Sequence, residues 1–281
     1  MKTLHSLIAS LRQFYSMYFY TYHALYLTSD RPIIVYSMTK SGSSSIHESI
    51  NDYVTALKVH TLDPVRASQQ IADRKAENRW NSGMAVLDRR GRQLYERVVK
   101  CGRPARYITL VRNPIERDIS RFFQKFDHLA PLDDDGQLTV SMSDMIAFAQ
   151  EKIENDKQVG SDWFADEYEN ILGINIYDFA FPKNQGIQRL RFDKADILLM
   201  KLETPDATKT KAISKFLDLP SFTLKRTNVA ANKDFADVYR QIKQEISLSP
   251  TFIDRACNSR LMRHFYTDDE IENTRKKWLR L

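Results

Sequence analysis

Short apolar runs alternate along the chain with longer stretches in which apolar residues recur every three or four positions. Runs of the first kind indicate buried strands, and stretches of the second kind indicate amphipathic helices. The runs lie at 33–38, 57–62, 107–111 and 197–202. Strands that are separated by helices predict an α/β fold with right-handed crossovers and a parallel sheet.

The same spacing predicts the helices. Apolar residues follow the first strand at helical spacing as far as Leu57, and a second helix is expected over 84–99. Asn113 is a favourable helix cap and Pro114 fits the first helical position, so a third helix should begin there. Its apolar face should carry Ile115, Ile119, Phe122 or Phe123, and Phe126. From about Asp206 onward the chain is expected to be mostly helical.

The domain organisation is expected to be simple, because the chain shows neither an internal repeat nor a low-complexity linker. We expect a single domain over 1–281. It should comprise an N-terminal aromatic helix over 1–30, an α/β core with an insertion over 31–205 and a helical C-terminal part over 206–281.

Residues 13–29 carry no Lys, Arg, Asp or Glu and include five tyrosines. The run is shorter than the about 20 apolar residues of a membrane-spanning helix, and tyrosine favours interfaces over lipid. We therefore expect an aromatic helix packed against the domain in a cytoplasmic protein. The alternative is that this segment lies on a membrane surface.

Charge and cysteine content narrow the function classes. Lys plus Arg number 42 and Asp plus Glu number 36, a net charge of +6 that favours an anionic ligand. The two cysteines, Cys101 and Cys257, are too few for a disulfide scaffold or a multi-cysteine zinc framework. No metal site and no nucleic-acid partner is expected.

A loop suited to an anion follows the first strand. The segment Thr39–Ser45 reads T-K-S-G-S-S-S. Gly42 permits close backbone approach, and the backbone N–H groups of Ser41–Ser45 at a helix N-terminus can cradle a phosphate or sulfate. Lys40 adds positive charge, and the serine hydroxyls add donors. The alternative interpretation is a serine-rich turn that caps a helix.

The loop departs from the Walker A pattern, G-x-x-x-x-G-K-[ST], because Lys40 precedes the glycine of the loop instead of following it. No Walker B carboxylate stands out after an apolar strand either. A P-loop kinase or nucleotide hydrolase is therefore the alternative hypothesis. It shares the strand, loop and helix but requires magnesium-dependent ATP turnover.

A second anion-binding pattern follows the third strand. Arg112 stands at the end of that strand, directly before the helix that Asn113 and Pro114 begin, and Ser120 lies about two turns along the helix. The guanidinium can fork onto a phosphate, with Ser120 as a supporting donor. The alternative is an ordinary capped helix with solvated arginines.

Together the two patterns resemble the PAPS-dependent sulfotransferases, where PAPS is 3′-phosphoadenosine 5′-phosphosulfate. That family combines a K-[ST]-G-[ST]-[ST] loop with a later R-N-P motif and a serine. The corresponding residues here are Lys40-Ser41-Gly42-Ser43-Ser44 and Arg112-Asn113-Pro114 with Ser120. The clear resemblance covers 33–126. More loosely, 162–177 and 265–278 resemble bacterial sulfotransferase-like proteins linked to capsular polysaccharide.

The resemblance implies a P-loop-like parallel sheet flanked by helices, with a mostly helical C-terminal third. It implies that Lys40 contacts the 5′-phosphate of PAPS and stabilises the leaving oxygen, while Ser41–Ser45 cradle the phosphosulfate. Arg112 and Ser120 would bind the 3′-phosphate. The product would be 3′,5′-adenosine bisphosphate (PAP), formed without a metal.

The family often adds a late basic segment over the nucleotide. The candidates here are Lys225, Arg226 and Asn228, and the alternative is a solvated basic turn.

The base that activates the acceptor hydroxyl is expected near the phosphosulfate loop. His60, near the end of the second predicted strand, is the favoured candidate, because an imidazole can accept a proton at neutral pH. Glu48 and His47 are the rivals. The acceptor is expected to be a carbohydrate, by analogy with the capsule-linked proteins. A non-catalytic nucleotide- or glycan-binding protein of the same fold is a further alternative.

Overall fold

The protein is described here from a computed structural model. The described residues are 21–26, 30–76, 83–124, 126, 131, 139–155, 162–225 and 236–280. Arg226, Asn228 and most of the segment 13–29 lie outside these residues.

Strands of the described chain form one sheet with the order β2-β1-β3-β5-β4. Their bounds are β1 Ile33–Tyr36, β2 Ala56–Val59, β3 Ala105–Val111, β4 Ile187–Arg191 and β5 Ala195–Lys201. β1 pairs in parallel with β2 and β3, and β3 pairs in parallel with β5, whereas β4 runs antiparallel to β5. The α/β class with a mostly parallel sheet flanked by helices is confirmed.

The α-helices in chain order are α1 Thr21–Tyr26, α2 Ser43–Asn51, α3 Pro64–Ala76, α4 Gly83–Leu94, α5 Pro114–Gln124, α6 Met142–Glu154, α7 Asn170–Leu172, α8 Asp206–Leu217, α9 Ala236–Glu245, α10 Pro250–Cys257, α11 Arg260–Phe265 and α12 Asp268–Leu279. Two π-helical turns, Tyr95–Val99 and Ala165–Glu169, continue α4 and precede α7. The described part of the C-terminal third is mostly helical, as predicted. Every helix within the described ranges is too short or too polar to cross a bilayer.

The described residues fall into two compact units. The first comprises Met1–Val111, Trp163–Phe179 and Ile187–Lys225, and it contains the sheet. The second comprises Arg112–Asp162, Ala180–Gly186 and Arg226–Leu281, and its described residues are helical apart from connecting segments. The single domain expected over 1–281 stays a prediction.

The core of the first unit explains why its strands appear as continuous apolar runs. All residues of β1 are buried, and so are six of the seven residues of β3 and of β5. A strand covered on both faces cannot alternate polar with apolar side chains, which is typical of parallel sheets between helices. Ile46 and Ile50 of α2 and Ile213 and Phe216 of α8 pack against these strands.

The core of the second unit is built on the apolar face predicted for the helix that begins at Pro114. Ile115, Ile119, Phe122 and Phe126 are all buried. They pack with buried residues of α6, α9, α10 and α12, among them Trp278. The spacing of these four residues therefore predicted correctly which face of α5 is covered.

The order of the strands places a ligand-binding edge in the first unit. From β1 the chain crosses to β2 on one side, and then to β3 on the other side of β1. In open α/β sheets, ligands bind beyond the carboxyl ends of the strands at the point where the order reverses. The loop after β1 lies at that point.

We expect Gly91→Ala to destabilise the first unit, since Gly91 lets α4 approach the end of β2. A Cβ at Gly91 would lie 2.1 Å from the backbone oxygen of Thr61, which cannot move aside without shifting the strand end. Overpacking of this kind costs about 1–3 kcal/mol, measurable by urea unfolding. Gly83→Ala at the start of α4 is the control, because a Cβ there meets nothing within 4 Å. Equal unfolding midpoints would contradict this expectation.

Candidate functional site

The loop after β1 is folded by two residues with left-handed backbone conformation. Lys40 has φ 63° and Gly42 has φ 85°. Glycine adopts this conformation without cost, whereas a lysine in it is strained by about 1 kcal/mol, and such strain concentrates at functional sites. Gly42 is the N-cap of α2, so the first N–H groups of the helix follow the turn directly.

The serine hydroxyls of the loop have different surroundings. Ser41 is fully buried, and its Oγ donates to the Met38 carbonyl at 2.8 Å, so this hydroxyl holds the loop together. Ser43 is buried, while Ser44 and Ser45 in the first turn of α2 are half-buried. Part of the predicted anion cradle is therefore structural, and the half-buried hydroxyls are the ones nearer to solvent.

Lys58 contacts this loop and was not predicted from the sequence. It lies in the middle of β2, and its Nζ donates to Ser44 Oγ at 2.9 Å. Burial lowers the pKa of Lys58, which Glu48 opposes and Arg90 reinforces. The available signal was a lysine inside an otherwise apolar strand, where a charge must have a partner.

His60 follows β2 and is held against the residue that follows β1. Its Nδ1 lies 2.7 Å from the carbonyl oxygen of Ser37. A carbonyl oxygen only accepts, so Nδ1 carries the hydrogen and Nε2 of the neutral ring carries the lone pair. The arrangement suits a general base whose reactive atom is Nε2.

The pKa of His60 is lowered to about 4. Burial is the largest cause, the hydrogen bond to Ser37 opposes it, and the positive charges of Lys58, Lys40 and Arg74 lower the pKa further. The ring is therefore neutral at pH 7. The same charges show that several cations lie near His60 in the first unit, an arrangement that attracts anions.

The two alternative candidates for the base, His47 and Glu48, lie in environments that differ from that of His60. His47 Nε2 lies 3.1 Å from the Ala56 carbonyl, and its pKa is lowered to about 4 by burial and by the charges of Lys58 and Arg90. The Glu48 side chain is exposed. His47 thus binds the backbone where β2 begins, at the opposite end of that strand from His60.

A buried carboxylate joins the ends of β1 and β2 to the segment that begins at Trp163. Glu167 is 0% exposed and accepts hydrogen bonds from Tyr36 Oη at 2.5 Å, Thr61 Oγ1 at 2.6 Å and the Leu62 backbone N–H at 2.8 Å. Arg66 Nη1 contacts it at 3.0 Å. A carboxylate can accept all of these bonds at once, so Glu167 fixes the strand ends that carry the loop and His60.

Aromatic residues near Glu167 belong to the core. Trp163, Phe164 and Tyr168 are all buried. Trp163 Nε1 donates to the His60 carbonyl at 2.9 Å, and its ring meets the Tyr36 ring edge-on at 4.9 Å. Trp163 thus supports the backbone of His60.

Arg112 is the first residue after β3 and the first residue of the second unit. One guanidinium nitrogen, Nη2, lies 3.9 Å from Glu116. Burial alone would raise the pKa of Glu116, but hydrogen bonds from Lys243, at 2.8 Å, and from Lys277 outweigh burial and lower it. Arg112 thus borders an acidic group whose charge two lysines already neutralise.

The helix start after Arg112 is built as predicted. Asn113 Oδ1 accepts from the N–H groups of Ile115 at 3.0 Å and Glu116 at 3.4 Å, and Asn113 Nδ2 donates to Thr274 Oγ1 at 3.0 Å. Ser120 is half-buried two turns along α5.

Lys225 lies at the end of α2 that is remote from the loop. Its backbone N–H donates to Ser49 Oγ at 2.9 Å, and its Nζ pairs with Asp52, the C-cap of α2, which raises the pKa of Lys225. A helix of this length, 9 residues, spans about 13 Å. Lys225 is thus separated from Ser43 by the length of the helix.

Comparison with known proteins connects part of the chain to polysaccharides. Residues 137–267 are similar to the family described as “Putative capsular polysaccharide synthesis protein”. The matched segment lies outside the loop after β1 and outside the Arg112 motif. No curated protein and no solved structure matches the chain.

We expect Glu167→Gln to cost about 3 kcal/mol of unfolding free energy. The amide NH₂ group of glutamine would point at hydrogen-bond donors, and Arg66 would lose its buried negatively charged partner. Asp166→Asn is the matched control. Asp166 pairs with the same arginine at 2.8 Å but is 36% exposed, and such a pair contributes about 0–1 kcal/mol. Urea unfolding measures both. Equal losses in the two variants would show that the Glu167 network does not hold the strand ends.

The lowered pKa of His60 predicts acid sensitivity. The folded protein favours the neutral ring, so below pH 6.5 the unfolded chain binds more protons and the unfolding free energy falls until about pH 4. The loss is on the order of 3 kcal/mol and is absent above pH 7. His60→Asn, which keeps a donor for Ser37, should remove this contribution, while His47 and His264, whose pKa values are also lowered, should keep the remaining slope. His23→Asn, at an exposed position of α1, should leave it unchanged. Unfolding free energies at several pH values would refute the assignment if His60→Asn kept the full slope.

Proposed function

We propose that this protein is a sulfotransferase that transfers a sulfuryl group from PAPS to a hydroxyl of a carbohydrate. The observation that carries the proposal is the grouping of Lys40, Lys58 and His60 around the loop at the carboxyl ends of β1 and β2. Sulfuryl transfer needs groups that bind and stabilise negative charge, which two cations and a helix N-terminus provide here. It also needs a base, for which the neutral imidazole offers the lone pair on Nε2.

The donor is assigned to the residues that the sequence pattern singled out. The P-loop-like turn over Ser41–Ser45 binds the phosphosulfate through the backbone N–H groups at the start of α2, and Lys40 binds the 5′-phosphate. Arg112 and Ser120 bind the 3′-phosphate. Lys58 adds a second cation, held by Ser44.

The transfer step follows from these positions. The acceptor oxygen attacks the sulfur, the bond between sulfur and the bridging oxygen of the 5′-phosphate breaks, and the electron pair stays on the phosphate. Nε2 of His60 takes the proton of the acceptor hydroxyl, so the products are a sulfate ester, PAP and one released proton. Lys40 stabilises the charge that grows on the leaving phosphate.

Binding of PAPS would also raise the pKa of His60. In the protein alone, three nearby cations and burial hold the pKa of His60 at about 4, too low for an efficient general base at neutral pH. The negative charges of PAPS beside Lys40 offset these cations and raise the pKa of His60 toward its ordinary range. His60 would thus become basic when the donor is bound.

The carbohydrate acceptor is supported by the similarity of residues 137–267 to a capsular polysaccharide synthesis family. Capsular polysaccharides are chains of sugars that carry many hydroxyls, which are suitable nucleophiles for sulfuryl transfer. We therefore assign the acceptor to this class, and the protein to polysaccharide biosynthesis.

Calorimetry with PAP and with AMP tests the donor assignment, because AMP lacks the 3′-phosphate. Arg112→Ala should weaken PAP binding about 10- to 100-fold and leave AMP binding unchanged, since one charge-assisted contact is lost. Lys40→Ala should weaken both ligands, as it acts on the 5′-phosphate they share. Lys100→Ala, which removes an exposed lysine paired with Glu96 four residues earlier, should change neither.

The opposite pattern would overturn the proposal. Magnesium-dependent ATP binding that PAP does not displace, together with indifference to Arg112→Ala, would favour a kinase or nucleotide hydrolase. PAP binding without release of PAP from PAPS on addition of any glycan acceptor would favour a non-catalytic nucleotide-binding protein.

A further inference from the structure

A cavity of about 470 Å³ lies in the second unit, between the segment 181–185 and the start of α12. Its volume falls within the about 300–1,000 Å³ of small-molecule sites. None of the residues assigned to the donor lines it. The cavity is therefore a separate feature of the second unit.

One wall of the cavity is a hydrogen-bonded turn packed against α11. Residues 182–186 form a tight turn, in which the Pro182 carbonyl accepts from the N–H groups of Gln185 and Gly186, both at 2.9 Å. Phe181 is 7% exposed and packs edge-on against Phe265 of α11 at 4.9 Å. These contacts fix the backbone of the turn that carries Asn184 and Gln185.

The opposite wall is a capped helix start. Thr267 Oγ1 accepts from the Glu270 N–H at 3.2 Å, and Glu270 Oε2 accepts from the Thr267 N–H at 2.8 Å. This capping box fixes Thr267 and the first turn of α12, where Asp268 lies.

The polar side chains of the lining are available to a ligand. Asn184, Gln185 and Asp268 are exposed, and their side chains form no hydrogen bond or ion pair with any described residue. The amides offer donors and acceptors, Asp268 offers acceptors, and Lys183 adds an ammonium group. Each wall thus presents hydrogen-bonding groups to the cavity.

This mixture selects among ligand classes. The exposed lining is both polar and apolar, so a purely apolar ligand would leave the amides and the carboxylate unpaired, and the Asp268 carboxylate would repel a phosphate or sulfate. Sugar hydroxyls both donate and accept, so a sugar ring can pair with amides, a carboxylate and an ammonium group together. The lining therefore fits a carbohydrate.

The position of the cavity in the chain points to the same class. The segment 181–185 and Thr267 lie within residues 137–267, the part similar to a capsular polysaccharide synthesis family. Asp268 lies one residue beyond it.

We propose that this cavity binds a sugar unit of a glycan. That this glycan is the acceptor of sulfuryl transfer rests on the function proposed above, whereas the binding of sugar does not.

Saturation-transfer NMR with methyl β-glucopyranoside, N-acetylglucosamine and glucuronic acid tests the proposal on the full chain. At least one sugar should give a transfer signal. Asp268→Asn and Asn184→Ala should each weaken its binding about 5- to 10-fold, because one hydrogen bond is lost. Asp269→Asn is the matched control: both aspartates are exposed in the first turn of α12, but only Asp268 lines the cavity.

Absence of a signal from all three sugars, or equal weakening by Asp268→Asn and Asp269→Asn, would overturn the proposal. The sugar-site proposal and the sulfotransferase proposal can be tested independently of each other. PAP calorimetry uses no sugar, and Asp268→Asn should leave PAP affinity unchanged. Sugar binding without PAP binding would support the sugar site and contradict the sulfotransferase proposal.

Discussion

The described site of the first unit depends on one buried carboxylate. Glu167 lies far from β1 and β2 in the chain, yet it binds Tyr36 at the end of β1 and Thr61 and Leu62 just after β2. An ionised group with 0% exposure persists only when hydrogen bonds and a counter-charge replace its water. The donors provide those bonds, and Arg66 provides the charge. The carboxylate in return helps to hold the two strand ends together, alongside the hydrogen bond between His60 and the Ser37 carbonyl.

A second constraint is the balance of charge around His60. Burial and nearby cations keep its ring neutral, and the Ser37 carbonyl determines which nitrogen carries the hydrogen. A site with an excess of positive charge is costly in the absence of an anion, because like charges repel each other and burial removes their water. Burial, and to a smaller extent the charge of Arg90, accordingly lower the pKa of Lys58. An anionic ligand would relieve it, so the electrostatics that weaken the base in the protein alone also favour binding of the ligand that would strengthen it.

The sequence predicted those features that depend on neighbours along the chain. The strands at 33–38 and 107–111, the cap at Asn113 and the covered face of α5 all follow from local spacing and from residue preferences at helix starts. β4 was missed because it is an edge strand with a single buried residue, Leu190, so its sequence contains no apolar run. The first predicted helix was extended too far, since Val54 and Leu57 continue the apolar spacing although α2 ends at Asn51. The contacts of Lys58 with Ser44 and of Glu167 with Tyr36 were not predictable, because they join residues that only the folded sheet brings together.

The two lines of similarity fall on different parts of the chain, and each bears on a different ligand. The residues that resemble sulfotransferase motifs lie within 33–126, whereas the similarity to a polysaccharide family covers 137–267. The first part contains cations and a helix N-terminus, which suit an anion, and the second contains most of the cavity lining, including the two amides, which suit sugar hydroxyls. A transferase needs both kinds of site, because the donor and the acceptor differ in charge. The proposed transferase would use both sites, whereas a protein that bound only nucleotides or only glycans would use one of them.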